Sequence, residues 1–173
     1  MRRVLCLLIL TMTVALVHAQ RGQDFASKYV GLCKNDSTML CITVSPKMME
    51  QLIKTGDNDS NENLMDALAK LKSVRIITAS ENSRDYYERA VQLLKKNARR
   101  FQLDKGYQTE QQQRAFYTRK DKKGNTVELV MLYTNNEADK TIIVNLTGML
   151  DEEFINSVTR HFEKKKEFSK LSK

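Results

Sequence analysis

AFYTRKDKKGNTVELVMLYT, residues 115–134, decides the fold. Two β-prone runs, Ala115–Lys120 and Thr126–Thr134, flank the polar stretch Asp121-Lys122-Lys123-Gly124-Asn125. That is a hairpin, with Gly124 or Asn125 at the position that needs a positive φ. In the second run Val127, Leu129, Met131 and Tyr133 share one face. Val130 and Leu132 make the opposite face partly apolar too, which predicts a central strand. Glu128 is expected opposite Val127 and Leu129, towards solvent or the sheet edge.

Moving outward, Asn135–Asp139 reads as a second turn and Thr141–Leu146 as a strand that Gly148 breaks. Asp151 caps a last helix, Glu152 and Glu153 favour its first turn, and Phe154, Ile155, Val158 and Phe162 form its core stripe. On the other side, a long helix starts at Ser83 or Asp85 and reaches about Arg100. Tyr87, Ala90, Val91, Leu94, Ala98 and Phe101 lie on one of its faces; Glu88, Gln92, Lys95, Lys96 and Arg99 lie on the other. Val74–Ala79 and Thr38–Val44 read as strands, and Pro46–Lys54 and Glu62–Lys72 as helices. Phe25, Tyr29 and Leu32 fit one short helix near the start. Helical stripes need a sheet face to cover. The expected fold is therefore α+β: a two-layer sandwich of about four to five strands, mixed or antiparallel, with helices packed mainly on one face. The expected division is a polar segment at 20–36, one domain at 37–162 and a Lys-rich tail at 163–173, frayed at the end.

The chain's 173 residues suit one domain. Its first nineteen, MRRVLCLLILTMTVALVHA, combine a basic start, an apolar run and small residues before a cut between Ala19 and Gln20. That pattern is a secretory signal peptide, and its apolar run is too short to span a bilayer. Cys6 comes too early to carry a lipid anchor. The expected location is the periplasm or the medium, with nothing transmembrane after cleavage. Removing the leader lowers the formal charge from +8 to +6, since Arg2 and Arg3 go with it. Export also removes nucleic acid as the partner that such a charge suggests.

The stretches FYTRKDKKGNTVELVMLY (116–133) and IIVNLTGMLDEEF (142–154), with MLCITVSPKMMEQLI (39–53) and LAKLKSVRIITAS (68–80), resemble the bacterial domain-of-unknown-function family 4252. The resemblance covers most of Phe25–Phe162. It implies an exported protein or lipoprotein of the cell envelope, chiefly of Bacteroidetes, beside extracytoplasmic sigma-factor systems. This chain lacks the lipobox cysteine that many members carry. The resemblance implies no activity and no catalytic residues.

The mature chain keeps one histidine, His161, and two cysteines, Cys33 and Cys41. There is no G-x-S-x-G elbow, C-x-x-C, H-E-x-x-H, P-loop or dinucleotide fingerprint. Asp57–Asn61 starts like a calcium loop, but Glu62 and Leu68 stand where glycine and glutamate are needed. Cys33 and Cys41 could form a disulfide in an oxidising compartment or remain separate thiols. No catalytic residue, cofactor or metal is expected. Arg89, Lys95, Lys96, Arg99, Arg100, Lys164, Lys165 and Lys166 make up a candidate basic surface for an anionic envelope surface or an acidic partner. The expected function is a non-enzymatic envelope module that binds a protein or another component of the envelope. The rivals are a binder of anionic lipid and a small hydrolase assembled around Tyr117, Arg119 and Glu128.

Overall fold

The computed structural model describes residues 23–34, 36–45, 47–48, 51 and 69–164, with side chains up to residue 160. Helix α1 spans Phe25–Leu32, strand β1 Met39–Val44 and β2 Leu71–Ala79. Helix α2 spans Ser83–Lys96. A meander follows: β3 Gln102–Gln108, β4 Gln112–Lys120, β5 Thr126–Asn135 and β6 Lys140–Leu150. Helix α3, Glu152–Lys164, comes last. The expected helices at 46–54 and 62–72 lie largely outside the described residues, as does the Asp57–Asn61 loop. So do the leader and the tail beyond Lys164.

The strands form one antiparallel sheet in the order β1-β2-β6-β5-β4-β3. The α+β sandwich holds, but there are six strands rather than four or five. The extra one is β3, whose residues are all exposed. A strand with no buried face has no period-two pattern to read. The helices also differ from expectation, because they cover both faces. On one face, α1 and α2 bury Phe25, Tyr29, Tyr86, Tyr87 and Leu94 against Ile77, Val130, Leu132 and Ile143. On the other, α3 packs Phe154 and Ile155 against Phe116, Leu129, Met131 and Leu146. β5 therefore has two apolar faces because it has helices on both sides, and both faces were visible in its sequence.

Several boundaries moved. α2 ends at Lys96, not near Arg100, although Phe101 still packs in the core. β2 starts at Leu71, inside the expected helix. β6 does not break at Gly148 but runs on to Leu150. Gly148 has φ +149°, and a Cβ there would stand 2.4 Å from the Lys70 carbonyl oxygen and 2.8 Å from the Leu71 Cα. Only glycine lets β6 pass the start of β2 this closely. Next to it, the Met149 amide donates to that same Lys70 oxygen at 3.1 Å. In the β4–β5 hairpin it is Gly124 that takes the positive φ, +88°.

Candidate functional site

β5 carries a carboxylate into the core. Glu128 is fully buried and not turned to solvent as its flanking residues suggest. Period-two alternation puts it on the same face as Val130 and Leu132, the face that α1 and α2 cover. Its Oε1 accepts the Phe25 amide at 2.6 Å and Asn145 Nδ2 at 3.1 Å. Its Oε2 accepts Arg119 Nε at 2.7 Å. Asn145 Oδ1, from β6, accepts the Ala26 amide at 3.1 Å. The first amides of a helix have no partners within it. Here two central strands supply them. Asp24 caps the same turn, accepting the Ser27 amide at 2.7 Å, and pairs with Arg75 at 3.2 Å. A buried charge is tolerated only when paired and hydrogen-bonded, and Glu128 meets both conditions.

Cations gather around this joint. Lys28 on α1, Arg100 after α2 and Arg119 on β4 are each partly buried. Arg100 Nη2 donates to the Gln23 carbonyl at 3.3 Å, and its guanidinium lies 5.8 Å from the Phe101 ring. Burial lowers the Lys28 pKa first and the Arg100 charge lowers it further, while Glu128 acts in the opposite direction. Burial likewise lowers Arg100, and the charge of Arg119 adds to that effect. Lys28 thus feels the charge of Arg100, and Arg100 that of Arg119, while the Glu128 carboxylate opposes both effects.

A groove of about 560 Å³ opens between α2 and the β3–β4 hairpin. Its lining includes Tyr87, Val91 and Lys95 from α2 and Leu103, Gly106 and Tyr117 from the hairpin. Leu103 is 58% exposed, so an apolar side chain faces the opening. Gln92, Gln108 and Gln113 add amide donors and acceptors. Burial pushes Tyr87 up to about 12, and raises Tyr117 also. Both phenols thus stay protonated near neutrality and act as hydrogen-bonding groups. The arrangement suits an apolar ligand surface carrying a few polar groups. A second hollow, of about 860 Å³, is lined by Lys105, Tyr107, Arg114 and Phe116 on the same two strands.

Of the basic residues singled out in the sequence, Arg89, Lys95, Lys96, Arg99 and Arg100 have described side chains. Lys95 lines the groove. Arg89 is placed elsewhere, 5.0 Å from the Tyr86 ring and 3.9 Å from Asp36. Lys96 and Arg99 are exposed, and Arg100 sits at the α1 joint. Lys164 ends α3, with its side chain outside the described residues, as are Lys165, Lys166 and the imidazole of His161. Of the trio Tyr117, Arg119 and Glu128, the last two are paired and Tyr117 faces the groove. Glu128 presents no oxygen to solvent, so the trio does not converge on a substrate. Cys33 is buried at the end of α1, with Cys41 of β1 packed against the same cluster, and both are free thiols. Sequence reasoning missed Lys28 and Asn145, because neither has a local pattern pointing to its partners.

A family model described as a domain of unknown function, DUF4252, matches residues 32–158. No curated protein matches the chain. Among solved structures, the chain is similar to the protein of unknown function PA94 from Pseudomonas aeruginosa. The identity is 11% over 75% of this chain and 79% of that one, with a TM-score of 0.38. It is also similar to the Ran-binding protein Mog1p of Saccharomyces cerevisiae, at 14% identity over 51% of this chain and 56% of that one, TM-score 0.27. Likenesses at these scores carry no argument.

Proposed function

The chain belongs to this DUF4252 family, and on that premise we propose that it is an exported cell-envelope protein, periplasmic or secreted. It works as a non-enzymatic binding module, with the groove between α2 and the β3–β4 hairpin as its contact site. One observation carries the reading. At the groove the sheet extends past its helical cover, leaving Leu103 exposed beside Val91, two protonated tyrosines and three glutamines. Such a surface gains free energy by burying apolar area and keeps its amides for orientation. The leader at Met1–Ala19 supports the location.

Two measurements test this. N-terminal sequencing of the fractionated protein should find Gln20 first, in the envelope or the medium. A photoreactive residue at Leu103 should capture one envelope component. Gly106→Trp should abolish that capture, because a Cβ at Gly106 meets only the Arg114 carbonyl, 4.0 Å away, and the indole would fill the groove. Equal capture from Lys123, in the remote β4–β5 turn, would sink the assignment.

A further inference from the structure

We propose that the hollow on the α3-side face of the β3–β4 hairpin binds a small aromatic carboxylate, at a site separate from the groove. The hollow measures about 860 Å³, within the range of small-molecule sites. Across β3 and β4, Lys105 pairs with Phe116 and Tyr107 with Arg114. Residues paired directly across an antiparallel ladder point to the same face. Phe116 belongs to the cluster under α3, so these four side chains stand on that face. Ala115 and Tyr117, which line the groove, stand on the other. The hairpin itself separates the two cavities, with Gly106, Tyr107 and Arg114 bordering both.

Charge and shape select the ligand. Two cations, Lys105 and Arg114, line the hollow, and among the described residues no carboxylate does. Arg114 is nine-tenths buried. Its guanidinium lies 5.3 Å from the Tyr133 ring, and its Nη2 donates to Gln112 Oε1 at 3.2 Å. That charge is therefore fixed at the floor. Lys105 is its diagonal neighbour on the ladder, at a separation of about 7–8 Å that long side chains can bridge. Lys105 is exposed and forms no ion pair among the described residues. Its ammonium can donate directly to a carboxylate, in a field that favours anions. Beside the cations Tyr107 is 58% exposed, which leaves much of its ring in solvent. A flat aromatic body laid on that ring buries apolar area and gains stacking. Thr109, Gln111 and Gln112, at the hairpin turn, can hydrogen-bond a polar substituent.

The test uses the full-length chain with cinnamate as the probe. Calorimetric titration at constant ionic strength measures binding, with amide spectra recorded in parallel. Cinnamamide carries the same flat body without the charge, and acetate the charge without the ring. Saturable cinnamate binding is expected, with the strongest shifts between Lys105 and Phe116 and none on α2. Cinnamamide should bind about tenfold more weakly, the scale of one charge-assisted hydrogen bond. Acetate should show no saturable binding.

Lys105→Gln should weaken cinnamate binding about tenfold and leave cinnamamide binding unchanged, and Lys105→Arg should restore most of the loss. Tyr107→Ala should weaken both probes. Both positions are exposed on an edge strand, and melting midpoints verify that each variant is folded. Lys95→Gln and Leu103→Ala, which alter the groove, should change neither affinity. No saturable cinnamate binding, equal affinity for cinnamate and cinnamamide, or binding indifferent to both Lys105→Gln and Tyr107→Ala overturns the site. Shifts on α2 with binding lost in Leu103→Ala overturn it as well, because they place the ligand in the groove.

Discussion

Glu128 accepts the Phe25 amide at 2.6 Å, so a carboxylate in the middle of the sheet holds the first turn of the first helix. This joint lies partly outside the family match, which starts at residue 32. α1 nevertheless buries Phe25, Ala26 and Tyr29 in the same cluster as Val130, Leu132 and Ile143. The segment before the matched region is thus built into the core, and the partners that seat it, Glu128 and Asn145, come from within the match.

Glu128→Gln should destabilise the protein by about 2–4 kcal/mol, because it leaves Arg119 without its carboxylate and weakens the seat of α1. Urea unfolding measures the loss. The double variant with Arg119→Gln should cost clearly less than the two single losses added together. Strict additivity would show that the 2.7 Å pair is not an energetic unit.

Gly148→Ala should cost roughly 2 kcal/mol or more, since it combines a backbone conformation disfavoured for alanine with a Cβ against the Lys70 carbonyl. Thermal unfolding compares it with Gly106→Ala, where the added carbon meets nothing closer than 4.0 Å. Equal losses at the two sites would contradict the close passage of β6 and β2.

Alkaline pH should loosen the α2 face. Tyr87 has a folded pKa of about 12 against an ordinary 10.0, raised mainly by burial. A raised folded value means that its stabilising contribution is complete below pH 10. It is lost between about pH 10 and 12, as the unfolded state gives up its proton first. Tyr29 and Tyr117 are raised too and act in the same direction. Tyr87→Phe should flatten part of the fall in urea midpoint across this window. An unchanged slope would mean that the phenol is not buried in solution.

The contrast between β5 and β3 shows what the sequence could reveal. β5 alternates apolar residues on both faces, and the structure sandwiches it between helices. β3, QLDKGYQ, buries nothing, and is a strand only because β4 supplies its hydrogen bonds. Backbone hydrogen bonds to the next strand of a hairpin bury no side chain of β3 and so leave no apolar periodicity to read. Glu128 was misplaced for a different reason. Between Val127 and Leu129 it looks like an outward polar residue, yet Val130 and Leu132 on its own face were already apolar. That face had to be covered, so a carboxylate on it had to be paired. The sequence held that signal, but not the identity of the partners on α1, β4 and β6.

The same contrast predicts how the sheet opens. Amide exchange reports local opening, which is easiest where few apolar contacts must break. β5 and β6 sit at the middle of the sheet, and Leu129, Val130, Leu132 and Ile143 are fully buried. β3 is an edge strand with a register shift between Leu103 and Lys105, a device that interrupts pairing and discourages another strand from adding on. Amides of β3 bonded to β4 should therefore exchange by local opening, at least a hundredfold faster than those joining β5 to β6, which should need global unfolding. Filling the groove with Gly106→Trp adds apolar contact between β3 and α2, and should slow β3 exchange without altering the β5–β6 rates. Exchange of β3 and β5 amides at one common rate would mean instead that the sheet opens as a single unit, with the groove no looser than the core.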